Sequence, residues 1–271
     1  MFRDQFKEEQ YFREATKTLT ATLDAKRKEL LSKTQPFPME YYVMANGLYI
    51  YIYWAYSLGQ PVRTLVAPCK EMLDDYVLSI ETEADYSDGG DIIYSELLGM
   101  ISIGVLLDTK ESLQKLGDIL ARIGYKDYLV SFLLRYGQPG YELPGELLWP
   151  EDAGCVKLKE ITQSGKADAA AGLYEYLQKN FYTRDNLEDL YGSHKKSGNF
   201  YRGYWSFESA AIAKVMNLDD SKLKTSPYYP YDMLHGDPSG ATEGPAEPPP
   251  SPDKNHAEDA APGAKKKWWQ F

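Results

Sequence analysis

The chain has 271 residues, of which 43% are hydrophobic and 14% aromatic, so it can bury a sizeable core in one large domain or two of ordinary size. Its 40 acidic and 30 basic residues give a formal net charge of −10, which disfavours direct binding to nucleic acid phosphates and favours a basic partner. Cys69 and Cys155 lack the spacing of a metal site, and the charged start lacks the apolar stretch of a signal peptide. We therefore expect a cytoplasmic protein without metal or cofactor.

The first two elements are predicted to be helices over 3–33 and 39–58. Apolar residues at helical spacing form one stripe along the first: Phe12, Leu19, Leu23 and Leu30. The second element is rich in tyrosine and could alternate as a strand, but its full helical length and the stop at Gly59 and Pro61 favour helix. Its apolar stretch is too short and too polar to span a membrane.

The next helices are predicted at 61–79, with a break or restart at Pro68, and at 92–107, 108–124 and 126–135. Asp108 and Glu111 resemble a capping box at the start of the third of these, and Gly124 is a typical helix end. The stretch 81–91 is predicted to be a loop between the helices at 61–79 and 92–107.

A loop rich in proline and glycine spans 136–150, and helices are predicted near 156, at 168–180 and at 206–218. Seven of the 16 prolines lie beyond residue 235, so 236–271 is predicted to be a disordered tail, ending in the basic and aromatic sequence KKKWWQF. We predict an all-α, compact multi-helix bundle in two packed halves, 1–125 and 126–235, followed by this tail.

Negative charge is concentrated between Lys70 and Lys110, an interval without any basic residue. We call its ten carboxylates the acidic block: Glu71, Asp74, Asp75, Glu81, Glu83, Asp85, Asp88, Asp91, Glu96 and Asp108. One interpretation is a solvated helix face and loop. The other is a docking surface for a basic protein, such as a nuclease cleft that holds phosphates. The order of the aspartates is not that of a calcium loop, which disfavours a metal site.

Within the acidic block, seven residues are predicted to bind the basic partner. Five are the expected direct contacts and two are flanking: Glu81, Glu83, Asp85, Asp88 and Asp91, then Asp74 and Asp75.

Evidence for catalysis is weak. Three histidines occur, at 194, 235 and 256, and no zinc-protease, nucleophile-elbow or phosphate-loop motif is present. A hydrolase that uses a buried carboxylate pair stays open, because 40 acidic residues form many chance pairs. We expect a protein that is not an enzyme.

The stretch from Gly203 to His235 resembles the C-terminal signature of the PoNi family, the immunity proteins of PoNe-type polymorphic-toxin DNases. The matching positions are Tyr201, Gly203, Tyr204, Trp205, Ser206, Phe207, Glu208, Ala210, Ala211, Asp219, Asp220, Ser221, Pro227, Tyr228, Tyr229, Pro230 and Asp232. Leu147–Pro150 and Ser193–Lys195 are similar to further landmarks of the family, whereas Ser209 stands where alanine is usual.

The resemblance implies an all-helical fold, cytosolic residence, and binding to a cognate DNase toxin that a neighbouring cell delivers, as in type VI secretion. It implies no catalytic residue. We expect the signature to hold the fold, through Tyr204, Trp205, Phe207, Glu208, Asp219, Asp220, Tyr229, Pro230 and Asp232. Glu208 is expected to accept hydrogen bonds from Tyr204 or from backbone donors, and Asp219 or Asp220 to cap a turn that starts near Ser221.

Two alternatives stay open at this point. One is a helical adaptor or effector chaperone of a secretion system without a nuclease partner. The other concerns assembly: 23 tyrosines against 9 phenylalanines would suit a half-wet interface, so a homodimer is also open.

Overall fold

The computed structural model describes residues 1–81 and 92–236, and within these ranges every regular element is a helix. The α-helices are α1 (Glu9–Ser32), α2 (Pro38–Ser57), α3 (Val66–Glu81), α4 (Tyr94–Leu106), α5 (Lys110–Arg122), α6 (Tyr128–Leu134), α7 (Ala153–Gln163), α8 (Lys166–Lys179), α9 (Arg184–Leu187), α10 (Phe207–Met216) and α11 (Tyr231–His235). The predicted all-α compact fold is confirmed. The predicted loop after Glu81 and the tail after Gly236 lie outside the described residues.

Helix α2 lies at the centre of the N-terminal half. Pro38 occupies its first turn, where a missing N–H costs nothing, and the Glu40 carboxylate accepts from the Phe37 backbone N–H at 2.9 Å. The helix packs between α1 and α3 and buries residues on several faces, among them Tyr49, Ile52 and Tyr56. A helix that is apolar all round belongs in an interior. The prediction of a helix here is therefore confirmed.

The predicted break or restart near Pro68 is confirmed as a restart of the helix. A short 3-10 turn, Val62–Leu65, follows Pro61, and α3 then begins at Val66. Pro68 consequently lies in the first turn of α3, where no N–H donor is needed and its fixed φ suits the helix.

The predicted capping box at Asp108 is wrong. Asp108 has a φ of 57°, and the residue that precedes α5 is Thr109. The Asp108 carboxylate instead binds Lys214 Nζ at 2.9 Å and the Tyr136 hydroxyl, so it ties the α4–α5 corner to α10. Gly124, with a φ of 74°, ends α5 as predicted.

The C-terminal half builds on α10, which packs against α4 and also contacts α6, α7 and α8. Buried side chains from both halves, such as Phe12, Ile52, Leu97 and Phe207, belong to one contiguous hydrophobic core. The boundary between the two halves at residue 125 stays a prediction. Among the described helices, none combines the length and apolar character that crossing a bilayer requires.

Gly203 provides a test of how tightly the two halves pack. Its φ is 107°, and a Cβ atom there would lie 2.6 Å from Trp205 Nε1 and 2.7 Å from Ser57 Oγ, the two partners of a buried hydrogen bond. We expect Gly203→Ala to lower the free energy of unfolding by about 3 kcal/mol, from backbone strain and overpacking. Urea denaturation measures it. Gly145→Ala, which meets nothing within 4 Å, is the control and should change stability by less than about 0.5 kcal/mol; equal losses would contradict the packing.

Candidate functional site

The buried centre of the acidic block is the ion pair between Asp75 on α3 and Arg27 on α1. The guanidinium donates to both carboxylate oxygens, at 2.8 and 2.5 Å, and lies 3.6 Å from Glu71. Asp75 is only 4% exposed. Burial raises the pKa of Asp75 and Arg27 opposes that rise. This predicted contact residue therefore joins α3 to α1 in the structure.

The other described members of the acidic block also have partners from distant parts of the chain. Lys115 Nζ lies 2.9 Å from Asp74, and Arg122 Nη2 lies 3.4 Å from Glu81. Glu96 accepts from the Tyr42 hydroxyl at 2.6 Å and from Asn46 Nδ2 at 2.7 Å. Exposed pairs of this kind are weak and screened by salt, so Asp74 and Glu81 stay accessible to a partner.

Four of the predicted contact residues, Glu83, Asp85, Asp88 and Asp91, lie outside the described residues. Sequence reasoning missed the cations that offset the rest of the block, which are Arg27, Lys115, Arg122 and Lys214. Only the periodicity of α1, α5 and α10 could have indicated them, and it does not show which faces meet.

The signature around residue 205 fills the junction between the two halves. Trp205 is buried, and its Nε1 donates to Ser57 Oγ on α2 at 2.8 Å. Phe207 is fully buried, and its ring centroid lies 4.7 Å from that of Tyr53 in an edge-on contact. Both residues therefore form core, as expected.

Tyr204 belongs to an aromatic cluster on the N-terminal segment. The ring of Phe6 lies 5.2 Å from Tyr204, 5.4 Å from His194 and 6.0 Å from Tyr228. The Tyr204 hydroxyl lies 2.8 Å from His194 Nδ1, and burial lowers the pKa of His194. Of the two donors expected for Glu208, the backbone is therefore the one observed and Tyr204 is not. Glu208 accepts from Ser206 Oγ at 2.5 Å and from its own backbone N–H.

Residues 125–233 match the family model described as PoNe immunity proteins (PoNi), C-terminal. We refer to residues 125–233, which are similar to this model, as the PoNi domain. The family is one of immunity proteins against PoNe nuclease toxins, so the predicted resemblance is confirmed over this range.

The fold is similar to that in the crystal structure of protein PA2201 from Pseudomonas aeruginosa. The TM-score is 0.67 and the sequence identity 19%, with 86% of this chain and 89% of that chain covered. At this identity the likeness shows the fold alone. No curated protein matches the chain.

The end of the PoNi domain is held by two adjacent aspartates with different tasks. Asp219 is exposed, and its Oδ1 accepts from the Ser221 backbone N–H at 3.1 Å, so it caps the turn as expected. Asp220 is 4% exposed and binds the Tyr229 hydroxyl at 2.7 Å and His235 Nε2 at 2.8 Å. Asp220 therefore connects the start of this segment to α11.

Pro230 and Asp232 fix α11 against the N-terminus. Pro230 immediately precedes the helix, and its carbonyl accepts from the Met233 N–H at 3.0 Å. The Asp232 carboxylate accepts from Arg3 Nε at 2.8 Å. The PoNi signature residues that we predicted to hold the fold thus contact one another or the N-terminal half.

Groups that could support catalysis are scattered in the described part of the chain. His194 and His235 contact different aromatic clusters, and both free cysteines are buried, with burial raising the pKa of each to about 12. A thiol of that kind is inert at neutral pH. Among the described residues, no group of three or more histidine, cysteine, aspartate or glutamate side chains is placed to hold a metal ion.

The Arg27–Asp75 pair generates a prediction about stability. Arg27→Met leaves a buried carboxylate without its cation, and we expect the free energy of unfolding at about pH 7 to fall by about 2 kcal/mol or more. Without Arg27 the pKa of Asp75 rises further above its unfolded value. The folded state then binds a proton that the unfolded state does not, so lowering the pH towards about 5 should shrink the defect.

Urea denaturation at the two pH values measures this effect. Lys115→Met, which removes an exposed partner of Asp74, is the matched control and should cost less than about 1 kcal/mol. A defect of Arg27→Met that grows as the pH falls would show that Asp75 is not the group left uncompensated.

The two neighbouring aspartates provide an internal comparison. Asp220→Ala should lower the free energy of unfolding by about 3 kcal/mol, because the buried Tyr229 hydroxyl and His235 lose their acceptor. Asp219→Ala should cost about 1 kcal/mol or less, the value of an exposed cap. Thermal and urea denaturation of both variants would measure the difference, and equal losses would refute the assigned roles.

Proposed function

We propose that this chain is an immunity protein that binds a cognate PoNe-type DNase toxin and blocks the surface with which the toxin holds DNA. The match of residues 125–233 to the PoNi family model carries the proposal. The protein would act without catalysis, in the cytoplasm of the cell that it protects, against a toxin that a neighbouring cell delivers through a system such as type VI secretion.

Electrostatic attraction supports this mode of inhibition. A DNase must present cations to the phosphates of its substrate, and a protein with a net charge of −10 attracts such a surface. Complementary charge speeds the encounter and favours the correct orientation, and its contribution falls as salt increases.

The acidic block supplies the proposed contacts. Asp74 and Glu81 have side-chain exposures of 43% and 42%, so a partner can reach both. Glu83, Asp85, Asp88 and Asp91 follow Glu81 in the sequence without an intervening cation. Asp75 contributes indirectly, by holding α3 in place through Arg27.

Co-expression with a gene for a PoNe-type DNase toxin, to be sought beside this gene, tests the function. Growth should be restored in cells that make the PoNe-type DNase domain, and the two proteins should co-purify. A helical adaptor or effector chaperone would co-purify with a secretion component but leave the DNase active. Toxicity that persists at equal expression of both proteins would reject the proposed function.

Charge neutralisation tests the proposed contact surface. We define a loop variant, with Glu81→Gln, Glu83→Gln, Asp85→Asn, Asp88→Asn and Asp91→Asn. Its association rate with the DNase domain should fall about tenfold or more at low salt and less at high salt.

A distant variant serves as the matched control, with Glu8→Gln, Glu14→Gln, Asp24→Asn, Asp118→Asn and Asp168→Asn. It removes the same charge from exposed positions outside the acidic block. Surface plasmon resonance at two salt concentrations measures both. Equal slowing of the two variants would show that total charge acts rather than the loop.

A further inference from the structure

A cleft of about 900 Å³ opens where the two halves meet. Its walls come from α2, the start of α4, α7, α8, the 185–190 segment and the 202–208 segment. Many of the wall side chains are aromatic or aliphatic, among them Tyr49, Leu98, Leu158 and Phe181. The cleft shares Glu96 with the acidic block and otherwise lies apart from the described part of it.

Seven carboxylates line this cleft, against one cation, Arg202. Glu151, Asp185, Glu188 and Asp189 are exposed at its mouth. None of these four carboxylates forms an ion pair or a side-chain hydrogen bond with a residue that the structure describes. Crowded carboxylates without cations repel one another, so a bound cation would relieve that repulsion.

This cleft differs from the acidic block in its electrostatic balance. Arg27, Lys115, Arg122 and Lys214 already offset described carboxylates of the block. The four carboxylates at the mouth of the cleft have no ion-pair partner among the described residues. Of these two surfaces, the mouth of the cleft therefore carries the less compensated negative charge.

The mouth also carries two partly exposed apolar side chains next to the carboxylates. Trp149 is 49% exposed and Ile93 is 47% exposed, and both line the cleft. Tryptophan is enriched among the residues that dominate protein interfaces. A guanidinium or ammonium group also stacks well on an aromatic face.

Glu208 provides an acceptor at the base of the cleft. Its carboxyl accepts from Ser206 Oγ and from its own backbone N–H, and burial raises its pKa. A carboxylate has about four acceptor positions, so Glu208 can still accept the paired N–H groups of an arginine. Charge at the mouth, an aromatic rim and an acceptor at the base are what a basic side chain requires.

We propose that the cleft receives a basic segment of the toxin, one that carries arginine or lysine for DNA phosphates. The mouth carboxylates bind the cations of the segment, Trp149 packs on its apolar part, and Glu208 accepts an arginine that reaches the base. This inference rests on the proposed function and adds a site to it.

The site is tested by measuring how the full chain binds the DNase domain of a PoNe-type toxin. The cleft variant has Glu151→Gln, Asp185→Asn, Glu188→Gln and Asp189→Asn. We expect its Kd to rise about tenfold or more at low salt, while the distant variant defined above stays within about twofold. Glu208→Gln, which keeps the volume of the side chain, and Trp149→Ala should each raise the dissociation rate. Circular dichroism and thermal denaturation confirm that each variant is folded.

The outcomes separate the two proposals. If wild type and the cleft variant bind the DNase domain equally well, the cleft is not the site and the immunity function stands. If wild type does not bind at all, both proposals fall. Carbodiimide cross-linking of the mixture identifies the occupant. Links from Glu188 or Asp189 to toxin lysines support the cleft, whereas links confined to Lys265–Lys267 of the same chain, or to a second copy, overturn it.

Discussion

The C-terminal end of α2 imposes the constraint on which the packing of the described chain depends. A helix leaves its last carbonyls without partners, and here that end is buried. Arg3 supplies the donors: its Nη1 binds the carbonyls of Tyr56 and Gln60 at 3.1 and 3.0 Å, and its backbone N–H binds that of Ser57 at 3.0 Å. The same guanidinium binds Asp232, and the neighbouring Asp4 accepts from the Tyr201 hydroxyl at 2.6 Å. The hydrogen bonds that satisfy the C-terminal end of α2 therefore connect the N-terminus to α2 and to the PoNi domain.

Helix α2 holds the PoNi domain by its own side chains as well. Trp54 Nε1 donates to the carbonyl of Tyr201, and Ser57 Oγ accepts from Trp205 Nε1, each at 2.8 Å. These bonds are buried, so losing one partner would strand a polar group in the core. They fix the backbone between Tyr201 and Trp205, and this backbone forms one wall of the acidic cleft. The geometry of the cleft therefore follows from the interface between the halves rather than from a free loop.

The sequence predicted elements better than it predicted partners. Periodicity placed α1, α2, α4 and α5 because burial of one face, or of all faces, repeats at 3.6 residues. It could not predict Asp75 as a buried residue, because the cation that permits its burial, Arg27, lies 48 positions away. Asp108 failed as a cap for the same reason, since Lys214 and Tyr136 bind its carboxylate. The acidic cleft was missed entirely, because its carboxylates come from segments that meet only in the folded chain.

Charge alone would make a poor immunity protein, because any acidic surface attracts any basic one. Electrostatic steering changes the rate of encounter, whereas discrimination between toxins needs groups that fit or clash at short range. The acidic block, open and partly neutralised from within, is suited to the first task. In the proposed complex the cleft is suited to the second, since a cation must fit between its aromatic walls to reach the acceptor Glu208. Glu208 thereby connects recognition to stability. The nearby residues Trp205 and Phe207 are buried in the core, and Phe207 packs against Tyr53 of α2. A change in specificity at the base of the cleft would consequently cost packing, while changes at its mouth, where the side chains of Glu188 and Asp189 are exposed, would be nearly free of that cost.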